Sequence, residues 1–108
     1  MKILYILLIS ILYITPLKAD ELSCLAEAVY FEARSEPFIA QLAVANVILT
    51  RVESPRYPDS ICDVVHQSRK WKGKPIRNKC QFSYWCDGKP ETIANVDAYQ
   101  ESVGAAEL

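Results

Sequence analysis

The chain has one histidine, no Gly-x-Ser-x-Gly stretch, no Walker-type phosphate loop and no Cys-x-x-Cys pair. A triad hydrolase of the usual layout therefore lacks its nucleophile elbow, a zinc amidase lacks its ligand set, and nothing is built to cradle a phosphate. Excess charge is missing too. Twelve Lys and Arg stand against thirteen Asp and Glu, a net charge of -1, which gives no overall pull toward nucleic acid or anionic lipid. Nucleic acid is not an expected partner, and no internal repeat or low-complexity segment is visible. At 108 residues and 51% hydrophobic, the chain is too short for two cores and too apolar for a disordered scaffold.

Its longest apolar run is also short. Met1 and Lys2 precede Ile3 to Ile14, in which only Ser10 is not hydrophobic, and Thr15, Pro16, Leu17, Lys18 and Ala19 follow. A spanning helix needs about 20 apolar residues, so this layout predicts a signal peptide over 1–19, cleaved after Ala19, that engages the membrane only during export. The alternative is an uncleaved anchor; in both cases the remainder works outside the cytoplasm, in the periplasm or cell envelope. Residues 20–108 then carry a net charge of -3 on 89 residues, a size at which covalent staples add needed stability. Cys24, Cys62, Cys80 and Cys86 all lie there, an even number in an oxidising compartment, which favours two disulfides over the competing zinc reading. Of three connectivities, Cys24 with Cys62 and Cys80 with Cys86 is preferred, because the latter two are close together in a turn-rich stretch. No metal or other cofactor is expected.

The apolar spacing predicts a mainly helical fold. Asp20 is placed to cap a helix running through Leu22, Leu25, Ala28 and Val29 toward Arg34, stopped by Pro37. Phe38 to Val52 is apolar on nearly every side and reads as the central helix. Asp59 is placed to cap a short third helix with Ile61, Val64 and Val65 on one face. Residues 68–91 read as irregular, and Thr92 to Leu108 is helix-compatible. Charge is uneven: residues 66–86 hold six basic side chains and no acidic one, whereas the flanking stretches are acidic.

On the first helix Glu32 falls about 20° from Leu25 and Glu27 about 160° away, so Glu32 is expected with the apolar face and Glu27 with the solvent. A carboxyl stripped of water has a raised pKa and suits proton donation near neutrality. The stretch Cys80 to Gly88 packs Phe82, Tyr84 and Trp85 among hydrogen-bonding groups, a combination that suits a sugar; the other reading is that the three aromatics simply fill a small core. His66 is expected to point away from the core, in a surface or helix-end role. The basic run from Arg69 to Lys79 reads either as a solvated loop or as a contact for an anionic polymer.

The blocks CLAEAVYFEARSEP (24–37), QLAVANV (41–47), RV (51–52), YPD (57–59) with Cys62, CQFS (80–83) and CDG (86–88) together resemble the bacterial cell-wall hydrolase family of SleB type, which includes spore-cortex-lytic enzymes. The similarity runs from residue 24 to about 105. It implies a small helical domain resembling lysozymes and lytic transglycosylases, with a disulfide-stapled irregular segment, acting as a catalytic domain over 20–108 on the glycan strands of peptidoglycan. The family's catalytic glutamate falls on Glu32. Ser35 stands where the family usually has glycine, Thr50 where asparagine is common, and the glycine-rich, histidine-containing segment near the family's C-terminus is lacking, so a shortened domain is expected.

The resemblance implies a single acid. Glu32 protonates the glycosidic oxygen and then, as carboxylate, accepts the proton of the muramic acid C6 hydroxyl as it closes on C1, giving a 1,6-anhydro sugar. Arg34 or Glu36 would orient it. Glu36, Gln41, Gln81, Phe82, Ser83 and Trp85 are the expected glycan contacts, and a monomer is expected. The other readings are a non-catalytic peptidoglycan-binding envelope protein and an N-acetylmuramoyl-L-alanine amidase.

Overall fold

The computed structural model describes residues 18–108; the leader expected over 1–19 lies outside the described residues apart from Lys18 and Ala19. Helix α1 spans Ala19–Ala33, an Ala-, Leu- and Glu-rich stretch without glycine or proline. Its capping position is Lys18, which makes no side-chain cap, so Asp20 sits inside the first turn instead of capping it. The next residue does the capping work elsewhere: the Glu21 carboxylate accepts hydrogen bonds from the backbone N–H of Ile61 at 2.7 Å and of Cys62 at 3.4 Å. Those donors open helix α3, Ile61–Val65. Its own cap is Ser60, which accepts from the Asp63 N–H at 3.2 Å, one residue later than the sequence suggests.

Helix α2 runs Phe38–Glu53, and Pro37 supplies its first extended position. It buries only a stripe of Gln41, Ala45 and Ile48, while Phe38, Ile39, Val47 and Leu49 remain exposed. The helix at the centre is α1, which packs on α2, on α3 and on the last helix, α4, Val96–Glu107. An apolar circumference does not itself place a helix in the middle; the number of neighbours does. Leu25, Ala28, Val29 and Tyr30 of α1 are all fully buried, against Ile48, Val64, Val65, Ala105 and Ala106 of the other helices. Each fully buried Leu, Val or Ile contributes about 1.5–3 kcal/mol. The entry to α4 is fixed by Asn95, whose Oδ1 accepts from Ala98 N–H at 3.0 Å and whose own N–H donates to the buried Tyr30 hydroxyl at 3.2 Å.

Residues 68–80, expected to be irregular, form an antiparallel hairpin of β1, Ser68–Trp71, and β2, Lys74–Cys80. Trp71 pairs with Lys74 across a two-residue loop, Lys72-Gly73, with φ of 52° and 79°. Both signs are positive, the primed turn whose twist matches a hairpin. The register slips between Ser68 and Lys70, and Asn78, φ 65°, lies in the longer arm of that bulge. A 3-10 turn, Ser83–Cys86, follows. The disulfides join Cys24 to Cys62 and Cys80 to Cys86, the expected pairing; the first ties α1 to α3 and the second ties the hairpin's end to the 3-10 turn.

Candidate functional site

The C-terminal half of α1 meets the 3-10 turn. Phe31 and Tyr84 stack at 4.7 Å between ring centroids and 13° between planes. Next to that stack lies a cavity of about 340 Å³ lined by Phe31, Arg34, Ser83, Tyr84, Asp87, Lys89, Pro90 and Thr92. Its wall carries both charge signs and three hydroxyl-bearing residues, Ser83, Tyr84 and Thr92, the mixture that a hydroxyl-rich ligand needs. The Arg34 guanidinium also lies over the Tyr30 ring, 5.2 Å from its centroid, so it is held by an aromatic face at the mouth of the cavity.

Glu32 precedes this mouth by two residues. Its side chain is exposed, not sunk in the apolar face, although Tyr30 and Ala33 on the same turn of α1 are buried. Partial desolvation still pushes its carboxyl above the ordinary range. Glu27 is the more enclosed of the two: it is half-buried, and its carboxyl is raised first by desolvation and then by the like charge of Glu91. The solvent-facing position expected for Glu27 is therefore corrected. The charges of Glu27, Glu32 and Glu91 all bear on Tyr84, whose phenol is pushed well above its usual range, by burial first and by those carboxylates after it. Tyr84 is 6% exposed, and its hydroxyl has no hydrogen-bond partner. Tyr84, with its uncommitted hydroxyl, lines the cavity, whereas none of the three carboxyls is among its lining residues. Glu91 and Tyr84 carried no sequence signal of their own: Glu91 stands alone in an irregular loop, and Tyr84 reads as one more aromatic.

The expected glycan contacts separate into two groups. Ser83 lines the cavity, and Gln81 and Glu36 are exposed at the surface. Gln41 is fully buried; its Nε2 donates to the Glu36 carbonyl at 3.2 Å and to the Glu101 carboxylate at 2.9 Å, so it ties α2 to the α1–α2 turn and to α4 and does not face the cavity. Phe82 belongs to the core, with the Arg51 guanidinium 5.8 Å above its ring. Trp85 stacks on His66, centroids 3.6 Å apart. His66 is accordingly half-buried, not turned to solvent, and burial lowers its pKa against the opposing pull of Asp63 and Glu91. Among the described residues no group of three or more His, Cys, Asp or Glu side chains is placed to hold a metal, and no helix is long and apolar enough to cross a membrane.

Residues 35–107 match the family model described as Cell Wall Hydrolase, a stretch that begins three residues after Glu32. Among curated proteins, the chain is similar to the spore cortex-lytic enzyme of Halalkalibacterium halodurans, 46% identical over 48 residues, which is 44% of this chain and 14% of that protein. It is equally similar to the Bacillus subtilis protein of the same name, 46% identical over 48 residues and 16% of its length. The spore cortex-lytic enzyme of Oceanobacillus iheyensis is 44% identical over 50 residues, 46% of this chain and 18% of that protein. The matched part thus spans less than a fifth of these relatives. No solved structure matches the chain.

Proposed function

The chain belongs to the cell wall hydrolase family, and on that premise we propose that it is exported to the cell envelope and cleaves the glycan strands of peptidoglycan, with Glu32 as the acid. The observation that supports this reading is that Glu32 is exposed near the end of the central helix with a carboxyl raised by partial desolvation, while its helix neighbours Phe31 and Arg34, though not Glu32 itself, line a polar cavity. A raised carboxyl keeps its proton closer to neutral pH and can give it to a glycosidic oxygen reached from solvent. The carboxylate left behind then takes the proton of the muramic acid C6 hydroxyl while that oxygen bonds to C1, and the strand ends in a 1,6-anhydro ring. Ser83, Asp87, Lys89 and Thr92 offer the hydrogen bonds that hold the sugar, and Arg34 sits where it can orient the bond being cut.

A second reading rests on Glu27 and Glu91. Hydrolysis by water requires a second carboxyl about 5 to 9.5 Å from the acid, and the charges of these two, like that of Glu32 and unlike that of Glu36, bear on Tyr84. The products separate the two mechanisms. Purified peptidoglycan digested by the folded protein is expected to yield 1,6-anhydromuramic ends by mass spectrometry; reducing ends alone would assign the chemistry to water and a second carboxyl. In either mechanism Glu32→Gln keeps the shape and removes the proton, so turnover is expected to fall by about 10² to 10⁴ with circular dichroism unchanged. Full turnover by that variant would remove Glu32 from the role.

A further inference from the structure

The hairpin is charged unlike the rest of the molecule. Arg69, Lys70, Lys72, Lys74, Arg77 and Lys79 give it six positive charges and no negative one, whereas from residue 20 onward the remainder holds four basic and thirteen acidic side chains. Every residue from Arg69 to Lys79 is exposed. Such a run is expected to bend away from itself unless held, and here it is held by a primed turn at Lys72-Gly73 and by the Cys80–Cys86 disulfide at the base. On one face of this ribbon lie Trp71, its cross-strand partner Lys74, and Ile76 two residues on. Trp71 is 70% exposed, and the Lys72 ammonium stands 6.0 Å from its ring centroid. Trp71, Lys72, Lys74, Pro75 and Ile76 line an open cavity of about 640 Å³.

Trp71 and Ile76 form an exposed apolar patch rimmed by lysines, the kind that marks a contact surface, and the shape limits what it meets. The extreme end of the hairpin is Lys72-Gly73-Lys74, charged and not apolar, so it is a poor wedge for a bilayer. The positive charges run along its whole length, about 20 Å for a seven-residue strand, which suits an extended anionic chain. An exposed indole with the Lys72 ammonium over it, 6.0 Å from the ring centroid, suits a sugar ring that bears a carboxylate nearby. We propose that the hairpin is a second glycan-contact surface, separate from the cavity lined by Phe31 and Arg34, on which Trp71 stacks against a sugar ring and Lys72 and Lys74 pair with carboxylates of the same peptidoglycan strand. The acidic body turns the hairpin toward a polyanion first. This inference rests on the peptidoglycan reading above.

The test uses the full mature chain carrying Glu32→Gln, so that binding is measured without cleavage. Co-sedimentation with purified sacculi is expected to show saturable, salt-sensitive binding that weakens about tenfold or more with Trp71→Ala, and similarly with Lys72→Gln combined with Lys74→Gln. Trp71→Phe should restore much of it. Sacculi whose carboxyls have been converted to amides are expected to bind as weakly as the lysine variant does. All three positions are exposed, so circular dichroism of the variants should match the parent. Sedimentation unaffected by these substitutions, while the parent with Glu32 still cleaves peptidoglycan, overturns the hairpin surface and leaves the enzymatic reading standing. Neither sedimentation nor cleavage would overturn both. Binding to phosphatidylglycerol vesicles that exceeds binding to sacculi and is lost with Trp71→Ala overturns the glycan surface in favour of a membrane contact.

Discussion

Glu27 and Glu32 stand five residues apart on α1, and burial raises both carboxyls, but only Glu27 has a like charge, Glu91, pressing in the same direction. The consequence for stability has a definite sign. A carboxyl whose pKa is higher in the folded protein than in the unfolded chain holds its proton longer when folded. Its favourable contribution is therefore present below the ordinary glutamate value and fades as pH rises through the raised one. Glu27→Gln removes a charge that folding leaves poorly hydrated. The variant is expected to melt above the parent at pH 7 and together with it near pH 4, where both are uncharged. A melting difference that does not change between the two pH values would show that Glu27 loses no hydration on folding. The angular position of Glu32 was legible in the sequence, but its exposure was not. A helical wheel gives direction around the axis and does not say which part of the apolar arc the neighbouring elements cover: Tyr30 and Ala33 are buried on the same turn while Glu32 is left exposed.

At the scale of elements, the helices were readable because Leu22, Leu25, Ala28 and Val29, or Ile61, Val64 and Val65, repeat at three and four residues. The pairing of the cysteines was readable from their spacing. The hairpin was not, since Arg69 to Lys79 shows no alternation of apolar and polar residues; it pairs through backbone bonds with both faces in water, and only the Lys-Gly dipeptide at its turn hints at it. Gln41 misled for the opposite reason. A glutamine reads as a surface or ligand-binding residue until its partners, the Glu36 carbonyl and Glu101, are brought to it by three separate segments. The hairpin and the cavity loop are coupled at one point. Gly88 has a φ of 81°, and a Cβ there would stand 2.6 Å from the Arg77 side chain. Gly88→Ala is therefore expected to displace Arg77, strain the loop next to Asp87 and Lys89, and lower peptidoglycan turnover severalfold. Its melting temperature should fall by only a few degrees, since no core residue moves. Unchanged turnover would show that the loop adapts without disturbing the cavity.

For the whole molecule, the two disulfides close loops of very different length, with sequence separations of 38 and 6. The chain-entropy argument assigns them about 4 and about 2 kcal/mol. Cys24→Ser with Cys62→Ser frees α1 from α3 and is expected to lower the melting temperature by ten degrees or more. Cys80→Ser with Cys86→Ser leaves the four helices joined and should keep the helical circular dichroism, while peptidoglycan turnover falls because Ser83 and Tyr84 lose their fixed position on the cavity wall. Full turnover by the second pair would show that the short link is dispensable for the cavity. The two bonds also differ in what their reduction leaves behind. Loss of the short link is the silent failure: such a molecule still melts cooperatively, still looks helical and escapes the proteases that remove unfolded chains, yet no longer presents a formed cleft to its polymer. If the chain cuts peptidoglycan in the envelope as proposed, inactive copies would then persist beside active ones, and the amount of protein would overstate its cutting capacity.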